Sequence, residues 1–457
     1  MPKGALPCDP MDASGLDELY LAHVADLERR FASVLAEQGW DAVAIHSGSP
    51  VKRSQFDDQL WPLRPCPHFQ HWLPLVEADN LLVVGAGTKP KLLRYGRRSF
   101  WEGPPQPESA AFADALEVID LGDAAAAKAH VPGGRVAFVG EDAARAREWD
   151  IGPDAACPAA LVLALDALRT TKTPYEVACI AEANRRARAG HEALRDAFRR
   201  DDVSELDLHL LFLRETAQDD PDTPYKNIVA FGRHAATLHH VAYGRHAPKR
   251  AAESLLVDAG ATCRGYCSDV TRTWVKGPGA AASAFAHVVA GVEAMQQRLC
   301  AALRVGMPYE ALHDESHRQV AAILREAGIV RASAEEAVAS GVTRVFYPHG
   351  LGHSLGLQTH DVGCGLRAPR EDNRFLRNTS DVTAGQVVTI EPGIYFIDTL
   401  LDQVRADPRR GRTVSWGLVD ALVPLGGVRI EDDVLVLEDG VRNFTREQLP
   451  SGGGVVG

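Results

Sequence analysis

The sequence predicts an α/β (α+β) protein of two domains, and three observations carry that prediction. Its 457 residues are 46% hydrophobic and 24% charged, a globular composition on a chain long enough for more than one core. Through the first third, short apolar runs of strand length alternate with longer stretches of helical spacing. A helix-start signal near residue 170 then opens a second region, which sets the expected domains at 1–169 and 170–457.

Taken in order, Asp17–Gln38 carries apolar residues at helical spacing, while Asp41–His46, Asn80–Val84 and Arg135–Gly140 are short apolar runs that read as buried strands. The segment WEGPPQPES from Trp101 reads as a loop, and Ala110–Leu116 as a helix. Ala160–Arg169 closes the first domain as a helix. Thr173 can then cap a new helix, with Pro174 in its first turn and Glu176 reaching back to the Thr173 amide. That helix runs to about Arg199, with Ala178, Ala181, Ala189 and Leu194 on its packing side. Beyond it, Ala282–Leu303 and Pro308–Gly328 read as helices. Leu255–Asp258, Ser268–Val275, Val387–Glu391 and Gly427–Leu437 read as strands. The ADPRRGR segment around Arg409 and the SGGGVVG tail are expected to be mobile.

Several function classes recede at once. Lys and Arg total 49 against 61 Asp and Glu, a net charge of −12 that offers no general attraction to phosphate backbones, so no nucleic-acid partner is expected. The best apolar run, Ala159–Leu168, is too short to span a bilayer and carries Asp166, so no membrane partner is expected either. The N-terminus has no apolar core of a secretory leader, and eight cysteines without a CxxC pair make no disulfide framework. The expectation is a soluble, reduced, cytoplasmic protein.

The chemistry lies in the second domain. Asp258 ends one apolar run and Asp269 follows eleven residues later, with a turn near Cys263–Arg264 able to bring the two carboxylates together. Two acids that close need a cation or a shared proton; the alternative is two turn-proximal aspartates facing solvent. His349, His353 and His360 crowd a glycine-rich segment, PHGLGHSLGLQTHD, where Gly350 and Gly352 argue against a helix and for close backbone approach. Glu391 ends an apolar strand before Pro-Gly, and Glu431 sits inside another apolar strand, where it must be paired, protonated or metal-bound. Arg429, two residues before Glu431, would share its face and is the natural ion-pair partner. Cys263 and Cys267 read as packing, because thiolates suit hard cations poorly. Two Asp, one or more His and two Glu suit a pair of divalent ions, Mn²⁺ before Zn²⁺, with Co²⁺ a workable substitute.

The order Asp258, Asp269, His353, Glu391, Glu431 resembles the dinuclear pita-bread metallopeptidases. AIHSG, TPYKNIVAFGRHAATLHH and EPGIYFIDTLL make the chain most similar to the bacterial Xaa-Pro dipeptidase (prolidase) branch of that family. The resemblance implies a creatinase-like N-terminal α/β domain, concerned with dimerisation and the substrate site, before a C-terminal pita-bread catalytic domain. It implies two metal ions on these five residues, with Asp269 and Glu431 bridging, and a metal-activated hydroxide that hydrolyses Xaa-Pro dipeptides. Glu391 would also shuttle a proton; His239, His349 and His360 would be the other catalytic groups. Arg377 would bind the substrate carboxylate, with Arg429, Tyr225 and Tyr395 completing the substrate site, while His240 stands where a tyrosine is usual. A homodimer is implied too, with His68, His71, Trp61 and Trp72 near its interface, as is a side activity on organophosphate esters. The rivals are an aminopeptidase P acting on longer peptides and a metal-free module that only binds peptide or protein.

Overall fold

In α1 (Ala13–Gln38), the buried side chains Leu16, Tyr20, Val24, Leu27, Phe31 and Leu35 recur at steps of three and four, the stripe that lays a helix onto a core. The computed structural model describes residues 13–95, 114–249, 253–365 and 367–457. Its contacts divide the chain into two units, Met1–Cys179 and Ile180–Gly457.

The first unit contains one mixed sheet of β1 (Ala42–His46), β2 (Asn80–Gly85), β3 (Lys91–Arg94), β4 (Glu117–Asp120) and β5 (Val136–Val139), ordered β4-β3-β2-β1-β5. Every residue of β1 is buried, because it pairs antiparallel with β2 and parallel with β5. Phe138, Tyr95 and Trp149 share one cluster of the core with Ala42 and Ala44. The WEGPPQPES loop and residues 110–113 of the expected helix Ala110–Leu116 lie outside the described residues. His71 and Trp72, read as interface residues, are instead buried within this unit; Phe31 packs edge-on to Trp72, and His23 Nε2 is 2.7 Å from the His71 carbonyl. After α2 (Ala159–Leu168), α3 (Pro174–Phe198) begins with the expected reciprocal cap: Thr173 N donates to Glu176 Oε2 at 2.7 Å, and Glu176 N to Thr173 Oγ1 at 3.4 Å.

The second unit begins within α3 and continues with α4 (Glu205–Thr216). A sheet ordered β16-β10-β7-β6 is built from β6 (Ile228–Phe231), β7 (Ser254–Asp258), β10 (Thr271–Val275) and β16 (Gly453–Val455), with the small hairpin β8 (Thr262–Cys263) and β9 (Tyr266–Cys267) between β7 and β10. Helices α5 (Ala280–Ala302) and α6 (Tyr309–Glu326) share the main core with β11 (Val387–Ile390), β12 (Gly393–Tyr395), β13 (Gly427–Arg429) and β14 (Asp432–Leu437). The last of these also pairs with β15 (Gly440–Asn443).

Three expectations change. Gly427–Leu437 is not one strand: β13 pairs with β12 and β14 with β11, so the chain changes partners at Ile430–Glu431. The ADPRRGR segment forms a short helix, α8 (Pro408–Gly411), behind α7 (Asp398–Arg405), because Asp407 Oδ1 accepts the amides of Arg409 and Arg410 at 2.9 and 3.1 Å. The glycine-rich tail is ordered as β16, since its backbone groups find the open edge of β10 in parallel register and Val456 is buried beyond it.

Candidate metal centre

Strand pairing brings the two aspartates together. Thr271 lies opposite Asp258, and the pairing extends past the strands through Ala259 N to the Val270 carbonyl at 3.0 Å. Asp269 is two residues before Thr271, so Asp258, Thr271 and Asp269 project from one face. Tyr225 Oη lies between the two carboxylates, 2.7 Å from Asp258 Oδ1 and 2.6 Å from Asp269 Oδ1. Cys263 and Cys267, in the intervening hairpin, are both buried.

The histidine segment runs beside β11. Thr389 N donates to the His353 carbonyl at 2.9 Å, His353 N to Thr389 Oγ1 at 3.1 Å, and Glu391 N to the Leu351 carbonyl at 2.8 Å. The approach is so close that a Cβ on Gly352 would stand 2.1 Å from the Thr389 carbonyl oxygen, which leaves glycine as the residue that fits. His353 Nδ1 donates to the Ser354 carbonyl at 3.0 Å. Its Nε2 is thereby turned toward Asp269 Oδ2 (3.4 Å), Glu391 Oε1 (3.7 Å) and Glu431 Oε1 (3.9 Å).

Arg429 and Glu431 do not form the expected direct pair. Because the strand breaks between them, the two-residue period fails, and Arg429 reaches Asp258 Oδ2 at 2.6 Å instead. Thr271 connects the two: its Oγ1 accepts from Arg429 Nε at 3.2 Å and donates to Glu431 Oε2 at 2.8 Å. Arg429 Nη1 also donates to Tyr395 Oη at 2.9 Å. Tyr395 in turn donates to His349 Nε2 at 2.8 Å, since His349 Nδ1–H is committed to the Gly350 carbonyl at 2.8 Å.

The centre holds more negative charge than its protein neighbours balance. Burial pushes Glu391 up to about 7 against the opposing His353 and Arg429 charges, and burial with the surrounding carboxylates lifts Glu431 well above its ordinary value. Burial would lower His353, but the bond to Asp269 and the nearby acids raise it to about 9. Burial and the Arg429 charge push His349 down to about 3, and partial burial with the His353 charge takes His360 to about 4. Donor atoms of Asp269, His353 and Glu431 lie within 4.8 Å of one another, close enough to hold one ion.

Residues 178–438 match the family described as "Metallopeptidase family M24", and residues 18–166 match "Xaa-Pro dipeptidase, N-terminal domain". The chain belongs to metallopeptidase family M24. It is 39% identical over 432 residues to the Xaa-Pro dipeptidase of Marinobacter nauticus, covering 94% of this chain and 98% of that relative. It is also 39% identical over 444 residues to the Xaa-Pro dipeptidase of Edwardsiella ictaluri, again covering 94% and 98%. Among solved structures, aminopeptidase P from E. coli with the inhibitor Pro-Leu superposes with a TM-score of 0.71 at 22% identity, covering 92% of this chain and 94% of that one. The fold of this M24 chain is thus aminopeptidase P-like, with a pita-bread second domain.

The remaining predicted residues of this M24 chain lie in differing surroundings. His360 stacks edge-on against His353, ring centroids 4.4 Å apart. His239 and Arg377 are exposed; His239 is an electrostatic neighbour of His349 and His360, and Arg377 of His360. His240 turns away from the acids to Glu205, 3.1 Å distant. Sequence reading missed Thr271, which has no charge to draw attention, and Asp433, whose Oδ2 accepts from Asp269 N at 3.0 Å and Asn184 Nδ2 at 2.8 Å. The one available signal for Asp433 was a second and third acid in the apolar run after Ile430. Among the described residues no helix is long and apolar enough to cross a membrane.

Proposed function

We propose that this chain is a metal-dependent Xaa-Pro dipeptidase that releases proline from the C-terminus of dipeptides. The supporting observation is the convergence of Asp258, Asp269, His353, Glu391 and Glu431 from separate elements onto one buried centre, in a chain that aligns almost end to end with its dipeptidase relatives. The donor set fits divalent metal. Among the described residues four carboxylates meet one arginine and the imidazoles of His353 and His349 there, and both glutamates are driven toward their neutral forms until further cations balance them. Oxygen donors with one imidazole favour Mn²⁺ over softer ions.

The two ions, when bound, supply Lewis-acid polarisation and acidify water. The rest is the work of side chains. An Xaa–Pro bond is a tertiary amide, so its leaving nitrogen must be protonated as the bond breaks. Glu391, carried on the turn after β11, is the group that takes a proton from water and delivers it to that nitrogen. His360 and His239 line the substrate side. With its basicity lowered, His360 is neutral near pH 7 and donates a hydrogen bond from the ring N–H without carrying charge. His349, with both ring nitrogens engaged, positions Tyr395 and through it Arg429. Arg377 clamps the proline carboxylate, so that a dipeptide but not a longer peptide sets its carbonyl at the centre.

The exposed Val51, Phe56 and Trp61 of the first unit support a homodimer, and eight cysteines without a CxxC pair suit a reducing cytoplasm. The decisive experiment is purification without chelator, elemental analysis, and Mn²⁺-supplemented assays on Leu-Pro and on a pentapeptide with proline second. The expected result is about two ions per chain and strong preference for Leu-Pro. Arg377→Ala should raise KM for Leu-Pro with metal content unchanged. Preference for the pentapeptide would make the chain an aminopeptidase P, and activity without metal would refute the reading.

A further inference from the structure

Glu205, the first residue of α4, has a carboxylate buried to 2% exposure and no Lys or Arg bonded to it among the described residues. Burying a carboxylate is costly unless its lone pairs are occupied, and here all are. Oε1 accepts from Phe231 N at 2.8 Å and His234 Nδ1 at 2.7 Å; Oε2 accepts from Gly244 N at 2.7 Å and His240 Nε2 at 3.1 Å. Burial would raise this acid, yet its bonds, led by those of His240 and Gly244, pull it down to about 2. The His234 and His240 rings stack 4.4 Å apart above it. Leu206 N closes the arrangement on the Gly244 carbonyl at 3.1 Å.

All four donors belong to one segment, residues 231–244, and the part beyond Ala236 has no strand or helix ladder to hold it. Within the span they enclose lies His239, an electrostatic neighbour of His349 and His360 at the metal centre. Tying His240 to Glu205 fixes the backbone from which its neighbour His239 projects.

We propose that Glu205 is a positioning residue for peptide hydrolysis, gathering residues 231–244 so that His239 meets the substrate. This rests on the substrate-side reading of His239 given above. With the carboxylate saturated by hydrogen bonds, the Glu205–His234–His240 group is a clamp and not a third metal site.

The test uses Mn²⁺-loaded full-length enzyme and Leu-Pro. In Glu205→Gln, an amide nitrogen replaces one acceptor and faces two donors, so kcat/KM should fall by about 10- to 100-fold while bound metal stays constant. If Glu205 acts through His239, the same change in a His239→Ala background should cost less than about two-fold further. His240→Gln, whose amide N–H replaces the imidazole donor, should keep most activity, whereas His240→Leu should lose it. Losses that multiply in the double variant overturn the clamp, as does a folded Glu205→Gln or His240→Leu enzyme with wild-type kinetics. A third ion per wild-type chain that disappears in His240→Leu overturns it in favour of metal binding. His239→Ala with wild-type kinetics would instead overturn the His239 reading on which the proposal stands.

Discussion

Thr271 holds Arg429 and Glu431 with a single hydroxyl, accepting from one and donating to the other. Replacing it with valine keeps the shape and the strand propensity but frees both charged groups to reorient. Thr271→Val should therefore weaken metal affinity by roughly 10- to 100-fold with little change in far-UV circular dichroism, as a metal titration of the apo-protein would show. His191 makes a different point about single residues. It is fully buried, donates from Nε2 to the Ala259 carbonyl at 2.9 Å, and burial holds it down to about 3. Between that value and about 6.5, the ordinary value for histidine, the unfolded chain binds the proton that the folded chain refuses, so stability falls as pH drops through this window. From pH 7 to 5 this one group should cost about 2 kcal/mol. Urea unfolding of metal-free protein should show the difference between the two pH values shrinking by that amount in His191→Gln.

At the level of elements, local chemistry accounts for the start of α3 and fails at β13. Thr173, Pro174 and Glu176 sit within one turn, so their reciprocal cap was legible from spacing, and Thr173→Ala should destabilise by about 1 kcal/mol in chemical denaturation. Loss of the His23 contact at 2.8 Å adds to that. The positions of β1, β2, β5, β7, β10 and β11 were also legible, to within a few residues, because apolar runs of strand length announce themselves, whereas β3, β4, β6 and β12 were not. What the pattern could not show is that the run Gly427–Leu437 serves two sheets. A strand's two-residue alternation holds only while one partner is kept, and the change of partner at Ile430–Glu431 sends Arg429 to Asp258 and leaves Glu431 to Thr271 and His353. The tail was misread for a related reason: its glycines lower intrinsic strand propensity, but an open edge on β10 supplies partners that local sequence does not contain.

For the whole molecule, the centre is a site of unbalanced charge, and stability should therefore depend on metal. An ion that binds only the folded chain adds about 2.7 kcal/mol when present at 100 times its Kd. Mn²⁺ should raise Tm in proportion to the logarithm of its concentration, EDTA should reverse the rise, and Glu431→Gln should flatten the response. By itself the sequence determined where several helices and strands lie and which acids and histidines were available, because periodicity and capping act over a few residues, and its motifs carried the likeness to the family. Tertiary structure alone decided which of them meet. Asp258 with Arg429, Thr271 with Glu431, and Asp269 with Asp433 are joined across more than 150 residues of chain. Such pairings are fixed by how strands register and sheets pack, and no local pattern encodes them.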